Sequence, residues 1–291
     1  MFAFGSAITM PEVYRRCAQP GIERAREPGA EVIELDAIGS IFESYNAILD
    51  RAAAFDDLEG LVLLHQDSEI VSDDFCAQAR TVLSDPSVGL AGCAGAIGVR
   101  SIAWWEGSVT LASFAHRYEE LGGGDLPAAS WLWAEAPPYA RLGEVETLDG
   151  FLLVLSPWAV ANLRFDETLG ALHGYDLDFC LQVRAAGRKV VTGDFRAVHH
   201  HALHAFTDPD EWIAAHIRVA EKWEGRGLPG FPGTFRHRAL RAEAEADAAR
   251  LAAHAKELSI DARIRELEAA IEETRTSISW KLAAPLRKLA R

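Results

Sequence analysis

At 291 residues the chain is long enough for one large domain, or for one domain with an appendage. Apolar residues make up 49% and charged residues 25%, an ordinary globular composition. The formal net charge of -14 argues against a nucleic-acid partner, because phosphate binding needs clustered Lys and Arg.

Four scattered cysteines, Cys17, Cys76, Cys93 and Cys180, form no zinc-finger or disulfide spacing, which points to a reducing, cytoplasmic compartment. The opening MFAFGSAITM lacks the basic and long apolar regions of a secretory signal. No run reaches the roughly 18 apolar residues that span a bilayer.

In chain order, the apolar run from Phe2 to Thr9 predicts a buried strand, and Met10-Pro11 predicts a helix start that runs until Pro20-Gly21 breaks it. EVIEL, residues 31–35, predicts a second strand ending at Asp36. Ile41, Tyr45, Ile48 and Leu49 mark the apolar face of a helix over 40–55. Leu61 to Leu64 is apolar throughout, as a strand covered on both faces should be, and it ends at His65-Gln66-Asp67. Ser72-Asp73-Asp74 caps a helix reaching Leu83, and Val88 to Val99 predicts a strand and loop. Residues 100–147, with Trp104, Trp105, Trp131 and Trp133, predict irregular loops whose aromatic rings suit either a core or sugar stacking. A strand over 151–155, a helix over 175–186 stopped by Gly187, and a strand over 189–192 follow. Strands alternating with helices in this way predict an open α/β sheet, with ligands bound at the carboxyl ends of its strands.

After Pro232 the composition turns to Ala, Glu and Arg, which divides the chain into residues 1–230 and a helical extension, 231–291. Ile260, Ile264, Leu267, Ile271, Thr274 and Ile278 step by 4, 3, 4, 3, 4, a short coiled-coil rhythm that fits a helical hairpin or a homodimer seam.

Four features carry chemistry. Asp36 ends the second strand; a turn role is its plainer reading. The Asp67 carboxylate, in His65-Gln66-Asp67, can hold a hard cation through oxygen, or simply cap the next element. Asp149 precedes an apolar strand, while Asp176 and Asp178 open a helix whose positive end favours carboxylates in any case. His199-His200-His201 closes the set; neighbours on an extended chain point to opposite faces, so one of them can join Asp67 but all three cannot.

In this order and spacing, and above all in SYNAILDRA…LVLLHQD and FDETLGALHGYDLDFCLQVRAAGRKV…VHHH, the chain resembles family 2 glycosyltransferases over about residues 1–225. It is most similar to the subgroup with HQD in place of D-x-D. The resemblance implies a GT-A-like mixed sheet flanked by helices, a nucleotide-sugar donor, and transfer to an acceptor hydroxyl with inversion. It implies Asp176 as general base and Asp36, Asn46, Gln66, Asp67 and Asp149 around the donor. Mn2+ or Mg2+ would be held by Asp67 and a histidine, His200 before His199. Two positions depart from the pattern: His65 stands in place of an acid, and Tyr175 in place of the Glu before the base. A non-catalytic scaffold and a nucleotidyltransferase are the competing readings; the second lacks a Gly-rich phosphate loop near residue 10.

The end of the chain, TSISWKLAAPLRKLAR, brings Lys281, Arg287, Lys288 and Arg291 alongside Ile278, Trp280, Leu282, Leu286 and Leu289. Such a segment either lies on an anionic membrane surface or continues the dimer seam. It is similar to tails of glycosyltransferases that build bacterial surface polysaccharides, which implies a glycan or lipid-linked acceptor at the cytoplasmic face.

Overall fold

The computed structural model describes residues 1–99, 102, 109–112, 114–116, 142–200, 209–223 and 237–276. The four tryptophans of the irregular segment, His201, and residues 277–291 of the basic tail lie outside the described residues.

In chain order the elements are β1 (Phe2–Ile8), α1 (Pro11–Arg16), α2 (Ala18–Ala25), β2 (Glu31–Asp36), α3 (Ile41–Ala52), β3 (Gly60–Leu64), β4 (Ser68–Ile70) and α4 (Phe75–Leu83). There follow β5 (Val88–Gly92), β6 (Ala94–Ile97), β7 (Val109–Ala112), β8 (Phe114–His116), β9 (Glu144–Val145), β10 (Thr147–Leu148), β11 (Leu152–Leu155) and α5 (Pro157–Asn162). The series closes with α6 (Tyr175–Ala185), β12 (Lys189–Thr192), β13 (Ala197–His199), α7 (Pro209–Trp223) and α8 (His237–Thr276).

Seven strands form the central sheet in the order β2-β1-β3-β11-β5-β12-β9. β1 is parallel to β2 and β3, whereas β11 runs antiparallel between β3 and β5, so the sheet is mixed. The middle strands GLVLL and LLVL are buried at every position, which is why they read as unbroken apolar runs rather than alternating ones. Two three-stranded sheets, β10-β6-β7 and β4-β13-β8, sit beside this core.

Local signals set the helices. Ser40 and Glu43 close a reciprocal capping box on α3, whose Phe42, Tyr45, Ile48, Leu49 and Ala52 face the core. Pro20-Gly21 does not end a helix, contrary to the sequence expectation. The break falls at Cys17, and both residues lie in the first half of α2. Pro20 is tolerated there because a first-turn N–H has no intrahelical acceptor to lose. Gly21 is needed because a Cβ would meet the backbone nitrogen of Ile70 at 2.5 Å, so α2 packs directly on β4.

Asp178, in the first turn of α6, is fully buried and anchors α7 to α6. It accepts hydrogen bonds from Trp223 Nε1 at 2.8 Å and Gln182 Nε2 at 2.7 Å, and its ion pair with Lys222 Nζ spans 2.8 Å. Lys222 also reaches Asp166 at 2.7 Å. α8 packs along α7. Its Ile260, Ile264, Leu267 and Ile271 are 50, 47, 48 and 51% exposed, while Ala262 on the opposite side is buried. No helix among the described residues is long and apolar enough to cross a membrane.

Removing one partner from a buried, hydrogen-bonded ion pair typically costs about 3–5 kcal/mol. Asp178→Ala is therefore expected to lose stability of that order in urea melts at pH 7. The isosteric Asp178→Asn, which keeps an acceptor for Trp223, should lose less.

Candidate active site

The site forms where β3 ends. His65 N–H donates to Phe151 O, just before β11, at 2.9 Å, and Ser68 N–H returns to His65 O at 3.1 Å, which makes residues 65–68 a tight turn. β4 leaves this turn and pairs antiparallel with β13, setting His199 opposite Ser68, and His200 N–H donates to Asp67 O at 2.8 Å.

The pairing decides which histidine meets the carboxylate. His199 Nε2 lies 3.5 Å from Asp67 Oδ1, its ring stacked on Phe151 with centroids 4.6 Å apart. His65 Nδ1 approaches the same oxygen at 3.9 Å. One ligand atom from each of His65, Asp67 and His199 lies within 4.8 Å of the others. His200 faces the other way, as strand alternation requires, with Nε2 3.2 Å from Glu69 Oε2. The sequence preference for His200 thus gives way to His199 in the geometry. Burial works against charging His199, but the Asp67 carboxylate outweighs it and raises the imidazole pKa. At His65 burial wins, against Asp67, and the pKa falls.

The second half of the site is a carboxylate pair. Asp176 Oδ1 accepts from Leu177 N–H at 2.8 Å and Oδ2 from Gly150 N–H at 3.1 Å, so the first turn of α6 and the Asp149-Gly150 corner hold it between them. Burial and the nearby Asp149 charge outweigh these bonds and push Asp176 up to about 7. Tyr175, one residue earlier, sends its hydroxyl to within 2.6 Å of His65 Nε2 and so links the two halves.

The remaining expected residues occupy different places. Asp36 is exposed at the carboxyl end of β2, level with Ile8 at the end of β1. Gln66 braces the outer turn: Oε1 accepts from Thr9 N–H at 2.9 Å and Met10 N–H at 2.7 Å, and Nε2 donates to Thr9 Oγ1 at 2.7 Å. Asn46 exchanges two 2.9 Å hydrogen bonds with the Phe165 backbone and donates to Glu167 at 2.8 Å. Its amide fixes the segment before α6. The sequence pattern puts both amides beside the donor; in the structure both are engaged with backbone groups, Gln66 at Thr9-Met10 and Asn46 at Phe165.

Residues 4–218 match the sequence profile of a glycosyltransferase-like family. The chain belongs to this family. Over 269 residues the glycosyltransferase is 30% identical to the streptomycin biosynthesis protein StrF of Streptomyces griseus, covering 90% of this chain and 82% of that one. Its fold is similar to the mannosyltransferase PcManGT of Pyrobaculum calidifontis, solved with GDP-Man and Mn2+, with TM-score 0.51, 15% identity, and 97% and 81% of the two chains covered. It is also similar to GalNAc-T7, solved with UDP, GalNAc and Mn2+, with TM-score 0.55, 10% identity, and 98% and 57% covered. These likenesses establish the GT-A fold of the glycosyltransferase.

His65 and Tyr175 are the members of this cluster least legible in the sequence. Their signal is that both depart from the family pattern, at positions 110 residues apart that the fold brings into contact.

The raised Asp176 carries a stability consequence. With its folded pKa near 7 and an unfolded value near 3.8, the folded state binds a proton more tightly, so stability falls as pH rises from about 4 through 7. Asp176→Asn should remove this penalty. Its melting temperature in chelator is expected to match wild type at pH 4.5 and to exceed it increasingly up to pH 8; parallel pH dependences would rule out the buried charge.

Proposed function

We propose that the glycosyltransferase moves a sugar from a nucleoside-diphosphate donor to an acceptor hydroxyl with inversion at the anomeric carbon. The convergence of His65, Asp67 and His199 within 4.8 Å, at the carboxyl end of the buried strand β3, carries this reading. The carboxyl ends of the strands are where open α/β sheets bind ligands.

Two imidazoles and one carboxylate suit a divalent transition ion, which favours Mn2+ over Mg2+, since Mg2+ keeps to near-octahedral oxygen. Such an ion, when bound, supplies positive charge against the donor diphosphate. The protein's own groups supply the rest. Asp176 takes the proton of the acceptor hydroxyl as its oxygen bonds to the anomeric carbon, and the bond to the diphosphate breaks on the opposite side. A base with a pKa near the working pH suits this transfer, and Asp149 helps hold Asp176 there. Asp36 meets the nucleotide base at the exposed end of β2. Gln66 and Asn46 lie beside the donor and steady the backbone around it, one through Thr9-Met10 and one through Phe165. The HQD subgroup assignment and a surface-polysaccharide or glycolipid acceptor rest on the sequence, as do a catalytic unit over residues 1–230 and a tail at the cytoplasmic membrane face.

Transfer from a panel of UDP-, GDP- and dTDP-sugars, with and without Mn2+, tests the reading. Turnover should need the ion, and kcat should rise with pH as the base deprotonates, with a midpoint below the ion-free value of about 7 because a bound cation favours the Asp176 carboxylate. Asp176→Asn should bind donor normally and lose about 10²- to 10⁴-fold in kcat, as expected for removal of a general base. Full turnover in chelator, or in this variant, would defeat the proposal.

A homodimer through α8 completes the picture. Its exposed Ile260, Ile264, Leu267 and Ile271 point away from the side that buries Ala262. Lys256 and Arg263 flank one edge of the stripe, and Asp261 and Glu268 the other. In a parallel, in-register pair, Lys256 and Arg263 of one copy face Asp261 and Glu268 of the other, as flanking charges do in two-stranded coiled coils. Sedimentation equilibrium should find a concentration-dependent dimer that becomes monomeric when Ile264 and Ile271 are both changed to Asp. A wild type that is monomeric throughout excludes the seam.

A further inference from the structure

His65 and Tyr175 meet through a narrow gap. The Tyr175 hydroxyl reaches His65 Nε2 by passing over Gly150, where a Cβ would lie 2.1 Å from the hydroxyl oxygen and 2.4 Å from Cζ. The tyrosine ring has little freedom. It is 5% exposed, packs edge-on against Phe42 and Tyr45 with centroids 6.1 and 5.6 Å away, and leans on Phe165 at 6.1 Å. The His65 backbone is pinned as well, through its N–H to Phe151 O.

A neutral imidazole has one N–H and one lone pair, and a metal-binding histidine commonly gives the N–H to a neighbouring acceptor. At His65 the nitrogen engaged by Tyr175 is Nε2, and the nitrogen on the Asp67 side, 3.9 Å from Oδ1, is Nδ1. We propose that Tyr175 is a positioning residue for the cation site. Its hydroxyl oxygen accepts the Nε2–H of His65, which leaves the Nδ1 lone pair directed toward Asp67 and His199. The two departures from the family pattern then form one device: an imidazole supplies the ligand where an acid is missing, and a phenol orients it. Tyr175 touches neither the ion nor the sugar, and its action passes through His65. The inference rests on the cation reading above.

Titration of the protein with Mn2+ alone, by calorimetry and by the spin-resonance signal of free Mn2+, tests it together with thermal melts. Tyr175→Phe keeps the ring packing and removes only the oxygen; it should weaken Mn2+ binding by about 10- to 100-fold, the usual effect of losing such an outer partner. His65→Ala should weaken binding at least as much. The double variant should lose no more than His65→Ala alone, because the hydroxyl has no route to the ion except through the imidazole. Gly150→Ala, which displaces the hydroxyl from the other side, is the second variant and should weaken binding to a similar degree.

Wild-type Mn2+ affinity in Tyr175→Phe, with His65→Ala impaired, overturns the inference and leaves the cation reading intact. A lowered melting temperature without a change in affinity gives Tyr175 a packing role only and overturns it equally. Losses that add in the double variant show that Tyr175 acts without His65 and also overturn it. Unchanged affinity in Asp67→Ala removes the cation reading, and this inference with it.

Discussion

The backbone pairing of β4 with β13 is the constraint on which the site depends. The hydrogen bond from His200 N–H to Asp67 O docks the last strand of the family region onto the turn after β3. It joins residues more than 130 positions apart in the chain, and it fixes which face of β13 looks inward. One face carries His199 toward Asp67; the other carries His200 toward Glu69. A slip of one residue would exchange the two imidazoles and undo the cluster. The chemistry of the turn is thus set by a main-chain ladder, with side chains filling places that the ladder assigns.

Electrostatics adds a second layer. Asp149 and Asp176 share the corner at Gly150, and Tyr175 reaches from there to His65, the neighbour of Asp67 in the turn after β3. Burying carboxylates side by side is unfavourable, and the protein relieves it by holding a proton on Asp176 to about neutral pH. The same crowding of negative charge makes this corner of the fold attractive to cations. Asp178, two residues along the same helix, avoids the conflict: Lys222 and the Trp223 indole satisfy it, and it serves as an anchor.

Much of this could be read from the sequence. The wholly apolar strands, the Ser40 cap, the Gly187 stop and the acidic residues at strand ends each follow from local rules, and these elements lie where those rules put them. What could not be read were facts of registration and long-range satisfaction. Pro20-Gly21 looks like a break until Ile70 is seen packed against Gly21. Adjacent histidines cannot be told apart until a partner strand assigns their faces. Gln66 and Asn46 look like free ligands until their amides meet backbone groups 56 to 119 residues away. Asp176 and Asp178 look alike on paper, and only the arrival of α7 marks Asp178 as the anchor.

The antiparallel placement of β11 has a consequence for how the protein is made. Residues 152–155 sit in the middle of the sheet, between strands that the ribosome releases roughly 60 to 90 residues earlier. Until they emerge, β3 offers a bare apolar edge on one side, and β5 has neither of its neighbours, since β12 comes later still. Unpaired edges of this composition recruit other chains. The nascent chain therefore passes through a long stretch of synthesis with its future centre open, and sheet closure waits for a late, distant segment, as in slow folders of high contact order.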